Sequence, residues 1–282
     1  MLRPQSVLPL TCLAAFWACA PKETCAPEQV PTVVADTPSP VAGYAVFGHS
    51  HNDYAHTHPL QDALDTNFHS VEADVFLVGN EVKVSHDGLS FKGTLRALYL
   101  DPLQARVDAT GSVYGDGVPV TLWIELKQGS KELRAALRDV LDGYSMLTTF
   151  TDDAVTRGPV TVVLTGDAAS KAAWVAEAPA RKACRDGDNY SNDDPPADNR
   201  WLAYGLSWGS YSAWDGHGAI PEKERNRLAC VTQGAHQKGR TVRFYATPET
   251  PEYWRTALEV GVDFINTDKL TELSSFLATY AP

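Results

Sequence analysis

Glu72 and Asp74 stand two residues apart, as do Glu125 and Lys127, and histidines occupy positions 49, 51 and 86. Side chains alternate along a β-strand, so residues at i and i+2 share a face. Two carboxylates on one inward face repel each other, and a divalent cation relieves that repulsion. Glu125 adds a third acidic donor, and an all-oxygen set suits a hard ion such as Mg²⁺ or Ca²⁺. Lys127 would meet an anionic oxygen. His86 and either His49 or His51 would carry protons, with His49 preferred because it lies nearer its strand end. The set suits phosphodiester cleavage. The cation neutralises the phosphate, one histidine takes a proton from the nucleophile, and the other gives one to the leaving oxygen.

Other residues are candidates for substrate contact. Arg243 and Tyr245 share a strand face, so Arg243 could reach a phosphate across a shared mouth; a structural ion pair is the alternative. Asn52 follows His51. Trp208 and Trp214 would line a substrate wall or simply pack. Asp53 and Tyr54 would orient a histidine or make a turn, and Asp268 would cap the last helix.

These residues need strands that bring them to one place. The hydrophobic pattern predicts strands over 43–48, 70–77, 81–86, 120–126, 160–164, 202–208, 241–246 and 262–266. It predicts helices over 59–65, 131–141, 222–238, 251–260 and 269–278, with a further helical stretch after 160–164. Residues 184–200, with five aspartates and two prolines, read as a surface loop. Strand–helix alternation implies a parallel sheet, and about eight strands over roughly 240 residues match a single-domain (β/α)₈ TIM-type barrel. The rival is an open doubly wound sheet. It would favour a glycine-rich phosphate turn, and the chain has no Gly-x-Gly-x-x-Gly. In a barrel, strand ends share one mouth.

The chain has 282 residues and a formal net charge of −11, which speaks against nucleic acid as a partner. Its 44% hydrophobic content excludes disorder, and five cysteines are too few for a disulfide scaffold. Residues 1–19 read as an export signal: Arg3, a short apolar run, then Ala18-Cys19. Cys19 is the expected lipid anchor, with ordinary cleavage at a nearby alanine as the alternative. Residues 20–42 are a proline-rich tether and 43–282 the barrel. The expected location is a bacterial periplasm or cell surface, and the expected form is a monomer held to the membrane only through Cys19. Cys184 and Cys230 are a candidate disulfide, with the pairing open.

The ordered set His49/His51, Glu72-x-Asp74, His86-Asp87, Glu125-x-Lys127 and residues 261–268 resembles the glycerophosphodiester phosphodiesterase-like superfamily, which includes phosphatidylinositol phospholipase C-type barrels. The similarity runs in order over about 43–280. It is nearest to the branch that opens with His-x-His-Asn-Asp-Tyr, which includes fungal proteins known by a mitochondrial-inheritance phenotype. The resemblance implies a TIM-type barrel, with Glu72, Asp74 and Glu125 as metal ligands, and with Lys127 and His86 in catalysis. Gly48-His49-x-x-Asn52 is similar to the start of sphingomyelinase D-type enzymes, which favours His49; His51 could instead match the histidine of the His-Arg pair. The chain departs from authentic glycerophosphodiesterases in lacking that Arg and the Pro-Glu-Asn-Thr box. The expected function is hydrolysis of a small or lipid-derived phosphodiester. The alternatives are a lyase-like reaction giving a cyclic phosphate, or a non-catalytic binding protein on the same barrel.

Overall fold

The structure, a computed structural model, describes residues 48–279. The export signal over 1–19, the tether over 20–42 and Cys19 lie outside the described residues. Eight parallel strands close into a barrel: β1 (Gly48–Ser50), β2 (Ser70–Val78), β3 (Val120–Leu126), β4 (Val160–Gly166), β5 (Ala183–Gly187), β6 (Trp201–Ser207), β7 (Thr241–Tyr245) and β8 (Phe264–Thr267). Each strand pairs with the next. β8 then returns to β1 through His49↔Asn266 and Ser50↔Thr267. Closure leaves the barrel wall without an open edge.

The helices are α1 (Gln61–Asp65), α2 (Asp101–Thr110), α3 (Lys131–Asp142), α4 (Ala168–Glu177), α5 (Glu222–Gln237), α6 (Pro251–Glu259) and α7 (Leu270–Thr279). On α3, Leu133, Leu137 and Leu141 recur every four residues and are all buried. They join one core with Val71, Ala73, Val75, Leu122, Ile124 and Leu126, the alternate residues of β2 and β3. Ser130 caps α3 by accepting from the Leu133 amide, and Thr250 caps α6 in the same way through Tyr253. The other strand face points into the barrel. Glu72, Trp123, Val163 and Cys184 stand side by side across four neighbouring strands. Trp123, Val163, Cys184 and Ala203 pack with Phe150, which a small sheet of 149–151, 155–156 and 180–181 supplies at the end where the strands begin.

The structure corrects three details of the sequence reading. The strand over 81–86 is not in the barrel: Glu81–Val84 folds back antiparallel on the extended end of β2. The fifth barrel strand is Ala183–Gly187, which overlaps the start of the stretch 184–200 read as loop. Its inward Asp186 made it look solvated, but Lys171 of α4 reaches that carboxylate at 2.5 Å and neutralises it. Cys184 is a free buried thiol that points into the barrel, whereas Cys230 sits on α5 outside the wall, so the two do not pair. Among the described residues no helix is long and apolar enough to cross a membrane.

His236 of α5 illustrates how a helix is tied to the wall. Its Nε2 lies 2.8 Å from Asp263 Oδ2, which also accepts from the Val242 amide at 2.7 Å. The hydrogen bond to Asp263 raises the imidazole above its ordinary value and outweighs burial. A raised folded value means stability that is complete below the unfolded pKa of ~6.5 and is lost as pH climbs through the folded one. The stability gap between wild type and His236→Asn, read by urea unfolding, is therefore expected to be larger at pH 5.5 than at pH 8.5.

Candidate active site

The chain leaves β1 with His49 pointing inward and turns at Asn52, whose φ of 47° is left-handed, a conformation that asparagine tolerates. Asp53 anchors the turn from a fully buried position. It accepts from Ser50 Oγ at 2.7 Å, the Leu60 amide at 2.5 Å and the Tyr99 hydroxyl at 2.9 Å. Burial raises its carboxyl even so. The anchored turn delivers Tyr54, whose hydroxyl lies 2.7 Å from Asp74 Oδ2, 2.5 Å from Asn52 Oδ1 and 3.2 Å from His86 Nδ1. Burial, then the Asp74 charge, pushes that hydroxyl far above its usual range, so it stays protonated.

Register places Asp74 of β2 beside Glu125 of β3, one step above Glu72. One oxygen from each of Glu72, Asp74 and Glu125 lies within 4.8 Å of the others. Glu72 is 3% exposed and Asp74 1%. Glu72 Oε1 receives both terminal nitrogens of Arg243 at 3.0 Å, and Asp74 Oδ2 receives Tyr54 and Lys127. That leaves Glu72 Oε2 and Asp74 Oδ1 buried without a hydrogen-bond partner. Orphaned buried carboxylate oxygens are costly, and a hard dication would satisfy both. Burial would raise Glu72, but the Arg243 guanidinium outweighs it and holds the carboxyl well below the usual range. Burial and the Asp74 and Glu72 charges raise Glu125. Lys127 bridges Glu125 Oε1 at 3.1 Å and Asp74 Oδ2 at 3.2 Å; burial opposes its charge, but those two carboxylates raise its pKa. The donor set fits a divalent ion.

The three histidines occupy different situations. His49 is fully buried, with Nδ1 2.7 Å from Ser70 Oγ and Nε2 2.6 Å from Arg243 Nη1. Arginine only donates, so Nε2 is the acceptor and Nδ1 carries the proton. Burial, then Arg243, lowers the imidazole to about 3, so it is neutral. His51 is 28% exposed, with Nδ1 2.9 Å from Asp268 Oδ1 and Nε2 3.9 Å from Glu72 Oε2. His86 is 67% exposed, with Nδ1 3.2 Å from Asp74 Oδ2. Asp87 does not serve as its partner. It shapes the loop by accepting from Ser85 Oγ and the Leu89 and Ser90 amides, which hold it down to about 2.

Thus Glu72, Asp74, Glu125, Lys127, His49, His51, His86, Asn52 and Arg243 come together. Arg243 is 2% exposed, stacked 4.5 Å over Trp123 and directed at Glu72, His49 and Asn266, which matches the ion-pair alternative. Tyr245 lies at the end of the same strand, 39% exposed. Trp208 does not reach the cluster. Its ring packs edge-on against Phe244 and Tyr253, and Nε1 donates to the Trp214 carbonyl. Phe244 is the outward neighbour of Arg243, so Trp208 belongs to the outer layer. Asp268 contacts His51 instead of capping the last helix. Ser70 and Asn266 escaped notice. Both are small polar residues at inward strand positions, and the same i, i+2 spacing that marked Glu72 would have marked them.

A family model described as the AIM6-like phosphodiesterase domain matches residues 41–184. The altered inheritance of mitochondria protein 6 homolog of Arthroderma benhamiae is 27% identical over 268 residues, covering 81% of this chain and 82% of that one. Altered inheritance of mitochondria protein 6 of Lachancea thermotolerans is 28% identical over 278 residues, covering 80% of this chain and 64% of that one. The structure of glycerophosphodiester phosphodiesterase from Agrobacterium tumefaciens aligns with a TM-score of 0.53 at 13% identity, over 82% of this chain and 99% of that one, a likeness of fold. The relatives correct one expectation. The chain was expected in a bacterial periplasm or at a bacterial cell surface, and these relatives are fungal proteins named for the inheritance of mitochondria.

Proposed function

Because the chain belongs to the AIM6-like phosphodiesterase family, we propose that it is a metal-dependent hydrolase of a small or lipid-derived phosphodiester. The observation that carries this reading is the pair of orphaned oxygens, Glu72 Oε2 and Asp74 Oδ1, inside a three-carboxylate cluster. Glu72, Asp74 and Glu125 would hold the cation, Mg²⁺ or Ca²⁺ by the hardness of the donors. When bound, it would neutralise phosphate charge and stabilise the charge that develops in the transition state.

The remaining steps fall to side chains. His51 and His86 both border the cluster, each with one nitrogen on an aspartate. One takes the proton of the attacking water, and the other protonates the leaving alkoxide, so the proton balance closes. His49 has both nitrogens engaged and no solvent access, so its task is to accept from Arg243. Arg243 in turn fixes Glu72. Lys127 offers positive charge to a phosphate oxygen. Asn52 and Tyr245 flank the mouth as substrate contacts. The net charge of −11 favours a small diester over nucleic acid.

Initial rates on bis(p-nitrophenyl) phosphate and on glycerophosphodiesters, with Mg²⁺, Ca²⁺ or Mn²⁺, test this. Release that stops on chelation and returns with metal is expected. Release indifferent to chelation would refute the metal role. Ligand binding without product would leave a binding protein.

A further inference from the structure

One face of β2 reads Glu72, Asp74, Phe76, Val78, so two carboxylates are followed by two apolar residues. β3 pairs with β2 as far as Val75, opposite Leu126. The last three residues of β2 run on past the wall, about 10 Å at ~3.3 Å per residue, paired there with Glu81–Val84. The loop 85–92 sits on this extension. The Ser85 amide donates to the Asp74 carbonyl at 3.1 Å and the Lys92 amide to the Val84 carbonyl at 2.9 Å, so both ends are tied down. Within the loop the Gly88 amide donates to Ser85 Oγ at 3.0 Å, and Asp87 accepts from the next two amides. Gly88 has a φ of 72° and lies against Phe76, where a Cβ would come within 3.0 Å of the ring. Phe91 meets the same ring edge-on, with centroids 6.3 Å apart. His86, the proposed proton carrier, heads the loop with Nδ1 on Asp74.

These bonds hold apolar side chains out in water. Leu89 is 84% exposed, Phe91 37% and Val78 36%. Among the described residues the exposed large apolar side chains are these three and Tyr245, and the three share the ridge that begins beside His86. Size and order say what covers it. A stable protein partner covers ~800 Å² on each side, and three side chains, two of them mostly covered, offer far less. A hydrocarbon phase sets no such minimum, because each apolar group partitions by its own area. The order fits as well. When the apolar tips enter hydrocarbon, the cluster behind them stays on the water side, where a lipid layer carries its phosphates. The net charge of −11 opposes attraction to an anionic surface but not apolar insertion.

We propose that Leu89 and Phe91, with Val78 behind them, form an apolar wedge that enters the acyl layer of a phospholipid surface and brings the phosphodiesters of that surface to the carboxylate cluster. The choice of lipid as substrate rests on the phosphodiesterase reading; the insertion does not. Flotation of the full chain with phosphatidylcholine vesicles, without metal, tests the insertion. The wild type is expected to float with the vesicles. Leu89→Ser alone, which removes little packing, is expected to weaken binding about tenfold, and Leu89→Ser with Phe91→Ser about 100-fold. With metal added, turnover of vesicle lipid below saturation should fall by the same factors, while the rate on soluble bis(p-nitrophenyl) phosphate stays at the wild-type value. Leu89→Trp is expected to keep vesicle binding and to shift its emission to the blue on mixing. A wild type that stays off the vesicles, or a double variant that binds them equally, would overturn the proposal. So would a wild-type dimer in light scattering that the double variant abolishes, since a second copy would then cover the ridge. Vesicle binding that depends on Leu89 and Phe91, in a protein that cleaves no diester, would support the wedge and count against the phosphodiesterase reading.

Discussion

Arg243→Met is expected to cost about 3–5 kcal/mol of folding stability, the loss typical of removing one partner from a buried ion pair. Glu72 is 3% exposed and relies on Arg243 for two donors at 3.0 Å. Without them, a carboxylate remains inside the barrel with neither oxygen paired to a cation. His49 Nε2 loses its donor too, and Trp123 loses a guanidinium stacked at 4.5 Å. Methionine fills much of the volume, so the cost should be chiefly electrostatic. Urea unfolding at pH 7 measures it. Saturating divalent metal should return part of the loss in the variant, because the ion supplies the missing charge. A change below about 1 kcal/mol would mean that Glu72 is not held by Arg243.

Glu72→Gln is expected to remove metal-dependent turnover by about 10³-fold or more, because a cation contributes several kcal/mol of transition-state charge stabilisation and each 1.36 kcal/mol is tenfold. Gln keeps the shape and can still accept from Arg243, so the fold should survive. What it lacks is negative charge beside the orphaned oxygen of Asp74. A second readout needs no substrate. Metal that binds only the folded state at a hundred times its Kd raises stability by about 2.7 kcal/mol. That gain should be present in the wild type and largely absent in Glu72→Gln, read as the shift of the thermal midpoint with added Mg²⁺ or Ca²⁺. Equal gains in both would remove Glu72 from the ligand set.

Much of the barrel was legible because its code is local. Val71, Ala73 and Val75 alternate with Glu72 and Asp74, so one strand showed both a buried face and an acidic one. The Glu125–Lys127 pair could be read in the same way. What was illegible depends on distant partners. β5 looked like loop because the residue that neutralises Asp186 is Lys171, on another element. α2 buries only Leu103 and so offers little apolar periodicity. His49 and His51 are equivalent by spacing; the difference in depth arises from Ser70 and Arg243, the latter 194 residues away. Trp208 follows a barrel strand but turns outward onto Phe244 and Tyr253, a choice that strand-end position does not encode.

The central claim is that Glu72, Asp74 and Glu125 form one cation site for phosphodiester cleavage. Crystals soaked in Mn²⁺ and measured for anomalous scattering test it most directly. One peak is expected within about 2.0–2.6 Å of Glu72 Oε2, Asp74 Oδ1 and a Glu125 oxygen, with Lys127 displaced from at least one of its carboxylates. A saturating soak with no peak there, or with the ion bound elsewhere and Lys127 still bridging Asp74 and Glu125, would contradict it.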